Sequence, residues 1–336
     1  MELALSPDQT VLAEAFGQFF RRESPSAVVR RAEPLGFDRT LWAALNTMEV
    51  WGSDATLSDL CVIAEAAGRW AAPVPFAEHA VASRMLGWPS LRAGETIGAF
   101  APRASDDRGV WRVVPAGAVA DVVVGFDRDE FVAITSPPPM TGPRNHASAP
   151  LSDRSARLGR LTVLGDRAVF ERASAEWKVL TAAMLVGLSV AALEMAVEYV
   201  QQRHQFGVPI GSFQAVQHAL ADLPGRIDGA RLLTHQAAAA LDNSEPGSCD
   251  VANNDITDPY ALASMALLFC GETAAEATAR SLHCHGGYGF AEEYDIQLYY
   301  RRARGWALVQ GDPAIECHSL ADRLWPIRPA DFVGGD

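Results

Sequence analysis

The chain has 336 residues, room for two or three compact units with a sizeable buried core, and its 28 Lys and Arg against 41 Asp and Glu leave a formal charge of −13. Such an acidic surface repels nucleic-acid phosphates and anionic headgroups, which sets aside generic nucleic-acid and membrane-surface binding. The five cysteines, Cys61, Cys249, Cys270, Cys284 and Cys317, are odd in number and hold no CxxC pair, so a disulfide framework and a structural zinc are disfavoured and a cytoplasmic, reducing setting is expected.

Residues 1–93 read as a helical domain. The opening MELALSPDQTVLAEAFGQFFRRE lacks the basic start and unbroken apolar core of an export signal. Ser6-Pro7-Asp8 offers an N-cap, a proline at the first helical position and an early acid, with Val11, Leu12, Ala15, Phe16, Phe19 and Phe20 following at helical spacing. Leu57 to Trp70 has the same period; Pro73 and Pro75 break it before a further apolar helix, Ala77 to Leu86.

Residues 94–169 change texture. GVWRVVPAG, ADVVVGFD and EFVAITSPPP are short β-branched runs punctuated by Gly, Pro and Asp, which predicts a small, mostly antiparallel β domain. Ser136 to Asp153 is rich in proline and small polar residues and reads as a loop.

Residues 170–336 are helical again, with helices expected over Ser174–Gln202, Phe213–Leu241, Pro259–Leu282 and Ile296–Arg304, and an exposed loop from Asp242 to Pro259. The run Val179–Val197 approaches membrane-spanning length, but Thr181, Ser189, Glu194 and its many alanines mark a helix buried inside a bundle, so no membrane span is expected. The fold class is thus mainly α with a small β domain: helices, a reduced β unit, then a four-helix bundle.

Two segments carry candidate chemistry. In RHQFGVPIGSFQAVQHALADL, Arg203 to Leu223, one helix ends in Arg-His-Gln and the next begins after a glycine- and proline-containing turn. In HCHGGYGF, Cys284 lies between two histidines, followed by three glycines in four residues. Both put flexible backbone and polar side chains at helix ends, where unpaired N–H groups and fixed arginines can hold phosphate oxygens. Taken alone, Gly286, Gly287 and Gly289 read equally as a tight helix-to-helix turn. His283, Cys284 and His285 have no second cluster of ligands, so no metal site is expected. Arg301, Arg302 and Arg304 read as a solvated or interface-facing helix side, and Trp177, Trp306 and Tyr288 as core or interface residues.

The two segments, about eighty residues apart, resemble the C-terminal domain of acyl-CoA dehydrogenases. GRWAAPVPFAEHAVASRMLG and the ending YYRRARGWALVQGDP resemble the short, small subunit of actinobacterial heteromeric acyl-CoA dehydrogenases. The resemblance implies an N-terminal helical domain, a middle β-barrel and a C-terminal four-helix bundle, a tetramer, FAD as cofactor, and α,β-dehydrogenation of an acyl-CoA thioester, with electrons leaving to an electron-transfer flavoprotein. It places Arg203, Gln205, Phe206, Gln214, His283, Cys284, His285, Gly286 and Gly287 near the FAD of a neighbouring subunit. Arginine would supply a fixed fork for the diphosphate, and glycine would let the backbone approach the nucleotide.

The catalytic position departs from the family. Counted without a gap from HGGYGF, the family's glutamate base falls on Gln310, whose carboxamide cannot accept a proton. Some members keep the base near the start of the long helix, at the place of Trp177; Glu176 is one residue away, and Asp312 is two past Gln310. These two acids are the alternatives. A Thr-Glu-Pro-like stretch and a Gly-Ser pair expected in the middle domain have no evident counterpart. The pattern resembles the smaller chain of an α2β2 enzyme in which a larger acyl-CoA dehydrogenase subunit supplies the base and a shared interface binds FAD. The alternatives are a homo-oligomeric enzyme of this fold with a relocated base, and a non-catalytic stabilising subunit.

Overall fold

In the computed structural model, which describes residues 4–52, 54–244 and 258–326, the first helix, α1 (Pro7–Glu23), starts where the residues ask it to. Ser6 accepts from the Gln9 N–H, and the Gln9 side chain returns the bond to the Ser6 backbone, both at 3.1 Å. Phe16, Phe19 and Phe20 form its buried face. The short helices α2 (Ser26–Ala32) and α3 (Arg39–Asn46) follow, too brief for hydrophobic periodicity to register in the sequence. Next come α4 (Leu57–Arg69), opened by a Thr56–Asp59 capping box, α5 (Phe76–Leu86) and the single turn α6 (Pro89–Arg92).

The middle segment contains β1 (Gly98–Phe100), β2 (Val110–Val114), β3 (Val122–Asp127), β4 (Glu130–Thr135), β5 (Ser152–Ser155) and β6 (Arg160–Gly165). Four of them form one sheet in the order β1-β3-β4-β6, parallel between β1 and β3 and antiparallel elsewhere, while β2 and β5 pair separately. The proline-rich stretch 136–151 has no helix or strand. Buried Arg154 fixes its start: Nη1 donates to the Gly117 and Ala120 carbonyls at 2.7 Å each, and Nη2 to Ser136 Oγ at 2.6 Å.

The long helix α7 (Arg167–Gln202) begins at Arg167 rather than at Ser174, because Asp166 Oδ1 caps it by accepting from the Ala168 and Val169 N–H groups. After a minimal hairpin, β7 (His204–Gln205) with β8 (Val208–Pro209), the single helix expected from Phe213 to Leu241 is two: α8 (Gln214–Ala221) and α9 (Leu223–Asp242). Pro224, lacking an N–H, falls in the first turn of α9, where that loss costs nothing. Then come α10 (Pro259–Cys284), a 3₁₀ turn over Gly286–Phe290, α11 (Ile296–Ala307) and α12 (Pro313–Leu324). The sequence reading did not foresee α12. Most of the loop expected between Asp242 and Pro259, with Cys249, lies outside the described residues.

Helix α7 is apolar on nearly all sides, and 78% of its most apolar stretch is buried inside the chain, as a central bundle helix requires. Its closest neighbour is α4. A Cβ at Gly68 would lie 1.9 Å from the Met184 carbonyl oxygen, and one at Gly187 would lie 1.9 Å from the Glu65 carbonyl oxygen. The two backbones therefore touch at a spacing only glycine permits on both sides. On α5, fully buried His79 ties three elements together: Nδ1 accepts from the Gly98 N–H and Nε2 meets the Leu91 carbonyl, both at 3.0 Å, which fixes a neutral ring with its proton on Nε2. Burial pushes its pKa down to about 3.

Two outcomes follow. Gly187→Ala is expected to destabilise the protein by ~3 kcal/mol, read as a lowered thermal unfolding temperature, because neither backbone can retreat. Since the folded state refuses the proton that an unfolded His79 takes below its ordinary value of 6.5, stability falls as pH drops from 6.5, by up to about 1.4 kcal/mol per pH unit. His79→Gln should flatten that slope between pH 6.5 and 5 in unfolding titrations.

Candidate functional site

A cavity of about 960 Å³ is a wedge between α7, α10 and the α11–α12 corner. Arg167, Phe170, Ser174, Ala175 and Lys178 line it from α7, at the three- and four-residue spacing that keeps side chains on one helical face. Tyr260, Ser264 and Leu267 face them from α10, and Gln310, Asp312 and Glu316 close the far wall. The middle domain contributes only Pro102, Arg103 and Ala104, at the exit of β1.

Gln310 sits in this wall, with its Nε2 donating to Glu316 Oε2 at 2.6 Å while its own Oε1 is buried without a partner among the described residues. Glu316 also receives a 2.5 Å ion-paired bond from Lys178 Nζ, which donates in turn to Ser264 Oγ at 3.0 Å. The side chains of Lys178 and Glu316 are 13% and 12% exposed, so water barely reaches the pair. Sequence reasoning missed both residues. Their only signals are that Lys178 follows Trp177 and that Glu316 lies one helical turn into α12, an element not expected from the sequence.

The two expected alternatives to a base at 310 fare differently. Asp312 reaches the cavity rim but spends its Oδ1 capping α12, where it accepts from the Ala314 N–H at 2.9 Å. Glu176 is not among the residues that line the cavity. Its two oxygens each take a 2.8 Å bond, from Arg172 Nε and Arg84 Nε, and its side chain is 2% exposed. A rotation of one residue around α7 turns it toward α4 and α5. Beside it, Trp177 Nε1 donates at 3.2 Å to Glu78, whose carboxyl is pushed up in pKa by burial. Arg301 and Arg302 also turn inward rather than outward. Arg301 grips Glu33 with bonds of 2.9 and 2.8 Å, and Arg302, 1% exposed, reaches the same carboxylate at 3.2 Å. Of the expected solvated set, Arg304 alone is exposed.

A second locus lies on the outside of the bundle, where the two motifs eighty residues apart in sequence meet. The Arg203 guanidinium lies 5.5 Å from the centre of the Tyr288 ring and has no carboxylate within ion-pair distance among the described residues. Tyr199, on the last turn of α7, stacks on His285 at 4.2 Å. His285 is held inward by its Nδ1 at 2.8 Å from the Ser281 carbonyl, and Cys284 is half-buried, with its thiol pKa raised by burial. His283, Gly286 and Gly287 remain exposed. Phe206 is 92% exposed in a left-handed conformation (φ 55°), and Gln205 and Gln214 are exposed beside it. A Cβ at Gly287 would meet nothing within 4 Å, so packing inside this chain does not require glycine there. Gly289 differs: its Cβ would fall 2.7 Å from the Leu282 carbonyl oxygen. One member of the knot thus serves the turn, and another leaves backbone open to an approaching group.

The chain is similar to known proteins, in its C-terminal part and along its length. Residues 169–325 match the family description "Acyl-CoA dehydrogenase, C-terminal domain". Along nearly its whole length the chain is similar to acyl-CoA dehydrogenase IpdE2 of Mycolicibacterium smegmatis, 28% identical over 94% of this chain and 98% of the relative. Two solved structures share the fold. The Tcur3481-Tcur3483 steroid ACAD G363A variant superposes with a TM-score of 0.82 at 22% identity, covering 94% of this chain and 97% of that one. The ChsE4-ChsE5 complex from Mycobacterium tuberculosis gives 0.80 at 20% identity, covering 98% and 100%.

Replacing Glu176 with Gln leaves two arginines facing a neutral group, so Glu176→Gln is expected to cost ~3 kcal/mol of stability. Thermal unfolding measures it. A variant as stable as the parent that selectively lost catalysis would keep Glu176 among the candidate bases.

Proposed function

We propose that this chain is one subunit of an FAD-dependent acyl-CoA dehydrogenase, working on an acyl-CoA thioester together with a longer acyl-CoA dehydrogenase chain and delivering electrons to an electron-transfer flavoprotein. The observation that carries this reading is the outer face, where Arg203 and the open backbone of Gly286 and Gly287 stand together without an internal partner for the charge. Those groups fit a flavin nucleotide held mainly by a neighbour: the guanidinium offers a fork to the diphosphate, and the missing Cβ lets the nucleotide come close. Gln205, Gln214 and His283 supply polar atoms around it, and exposed Phe206 supplies an apolar rim.

When bound, FAD provides the oxidant that the protein itself lacks. This chain's residues provide the setting. Residue 310, where the family resemblance puts the base, is an amide engaged with Glu316, so it holds geometry without taking a proton. The likeness to the Tcur3481-Tcur3483 and ChsE4-ChsE5 structures, each named for two components, supports an assembly of unlike chains.

The test is a visible spectrum of the purified protein, alone and co-expressed with a longer homologue from the same genome. Little flavin alone, and bound flavin with acyl-CoA-dependent bleaching in the complex, is the expected outcome; full occupancy and turnover by the lone chain would overturn the shared-site reading. In the complex, Arg203→Ala should weaken flavin retention roughly tenfold, since it removes one charge-assisted contact.

A further inference from the structure

The 960 Å³ cavity holds a carboxylate that the reading above leaves without a task. Four acids lie on its wall. Glu272 and Asp312 are exposed, and Asp312 caps α12. Glu171 has a side chain 41% exposed and pairs loosely with Arg167 at 3.5 Å and Arg323 at 3.9 Å. Glu316 differs from all three. It is 12% exposed, and it is gripped from two sides, by Lys178 Nζ on Oε1 at 2.5 Å and by Gln310 Nε2 on Oε2 at 2.6 Å. Two donors on different elements fix its plane and its direction, as a proton-transfer group needs.

Among the described residues the Gln310 Oε1 is buried without a hydrogen-bond partner. The amide's one visible task is to present Nε2 to Glu316. A carboxylate oxygen therefore stands one hydrogen bond away from residue 310, on the cavity wall and shielded from bulk water.

We propose that Glu316 is the acceptor of the substrate's α proton in this chain's own cavity, with Gln310 and Lys178 as positioning residues. The inference rests on the acyl-CoA reading of the cavity. In the step, the Cα–H bond breaks, the proton passes to the Glu316 carboxylate to give a carboxylic acid, and the electron pair moves into the thioester as an enolate. Lys178 and Gln310 hold the carboxylate in place, and the shielded setting keeps water from delivering protons in competition.

The test is exchange of α-hydrogens into D2O, followed by mass spectrometry on a panel of saturated acyl-CoA thioesters from butyryl-CoA to a bulky branched acyl-CoA, with the complex as isolated. It is read separately from flavin bleaching, so exchange without bleaching would sink the dehydrogenase reading and leave Glu316 standing. Glu316→Gln should slow exchange by at least ~100-fold, the usual contribution of a general base, with flavin content unchanged. The paired variant Gln310→Glu with Glu316→Gln moves the carboxylate by one hydrogen bond while keeping the net charge. It should restore exchange to within about tenfold of the parent, and it decides the matter should the single variant fail to fold. Exchange by Glu316→Gln within about threefold of the parent would overturn the assignment and give the base to the longer chain, as would a folded paired variant that exchanges no hydrogen or a parent complex that exchanges none.

Discussion

Everything in this molecule is arranged around the contact of α4 with α7, backbone against backbone at Gly68 and Gly187. Two helices that approach this closely gain dispersion contacts along their length and leave no room for relative sliding. Helix α7 then becomes a fixed axle, apolar on nearly every side, from which the other elements take their positions. Its first turns line the cavity with Arg167, Phe170, Ser174 and Lys178, its middle is locked to α4, and its last turn offers Tyr199 to His285. A single 36-residue helix thus carries the inner cavity and the outer cradle at opposite ends.

Ion pairs fill the spaces that this rigid packing leaves at domain borders. Glu176 joins α7 to α5 through Arg84, and Glu33 joins the N-terminal helices to α11 through Arg301 and Arg302. Burial lowers the Arg302 pKa to about 10, the mark of a guanidinium held in place more by its carboxylate than by solvent. Such pairs contribute little net stability compared with apolar packing, but they have one satisfactory geometry each, and so they set the orientation of the helices they connect.

Chemistry is divided accordingly. The cavity wall carries a shielded carboxylate between a lysine and an amide, and the outer face carries an arginine over a tyrosine beside open glycine backbone. The cavity receives little from the middle domain, and the arginine and the open glycines face outward.

Local signals determined much of this from the sequence alone. Ser6, Pro7 and Asp8 announced α1, the apolar period announced α4 and α7, and β-branched runs announced β2 to β4, because capping, periodicity and strand alternation act over a few residues. The Arg203–Gln214 and His283–Gly287 motifs were legible for the same reason. Tertiary structure alone decided which side chains share a space. Glu176 and Lys178 are two residues apart on one helix, yet one is sealed between arginines and the other faces the cavity, a difference of helical phase that only the neighbours of α7 fix. Glu316 becomes visible as a partner of Lys178 only once α12 packs back against α10. The contact joins residues 138 positions apart, and no local pattern in a chain encodes a meeting at that separation.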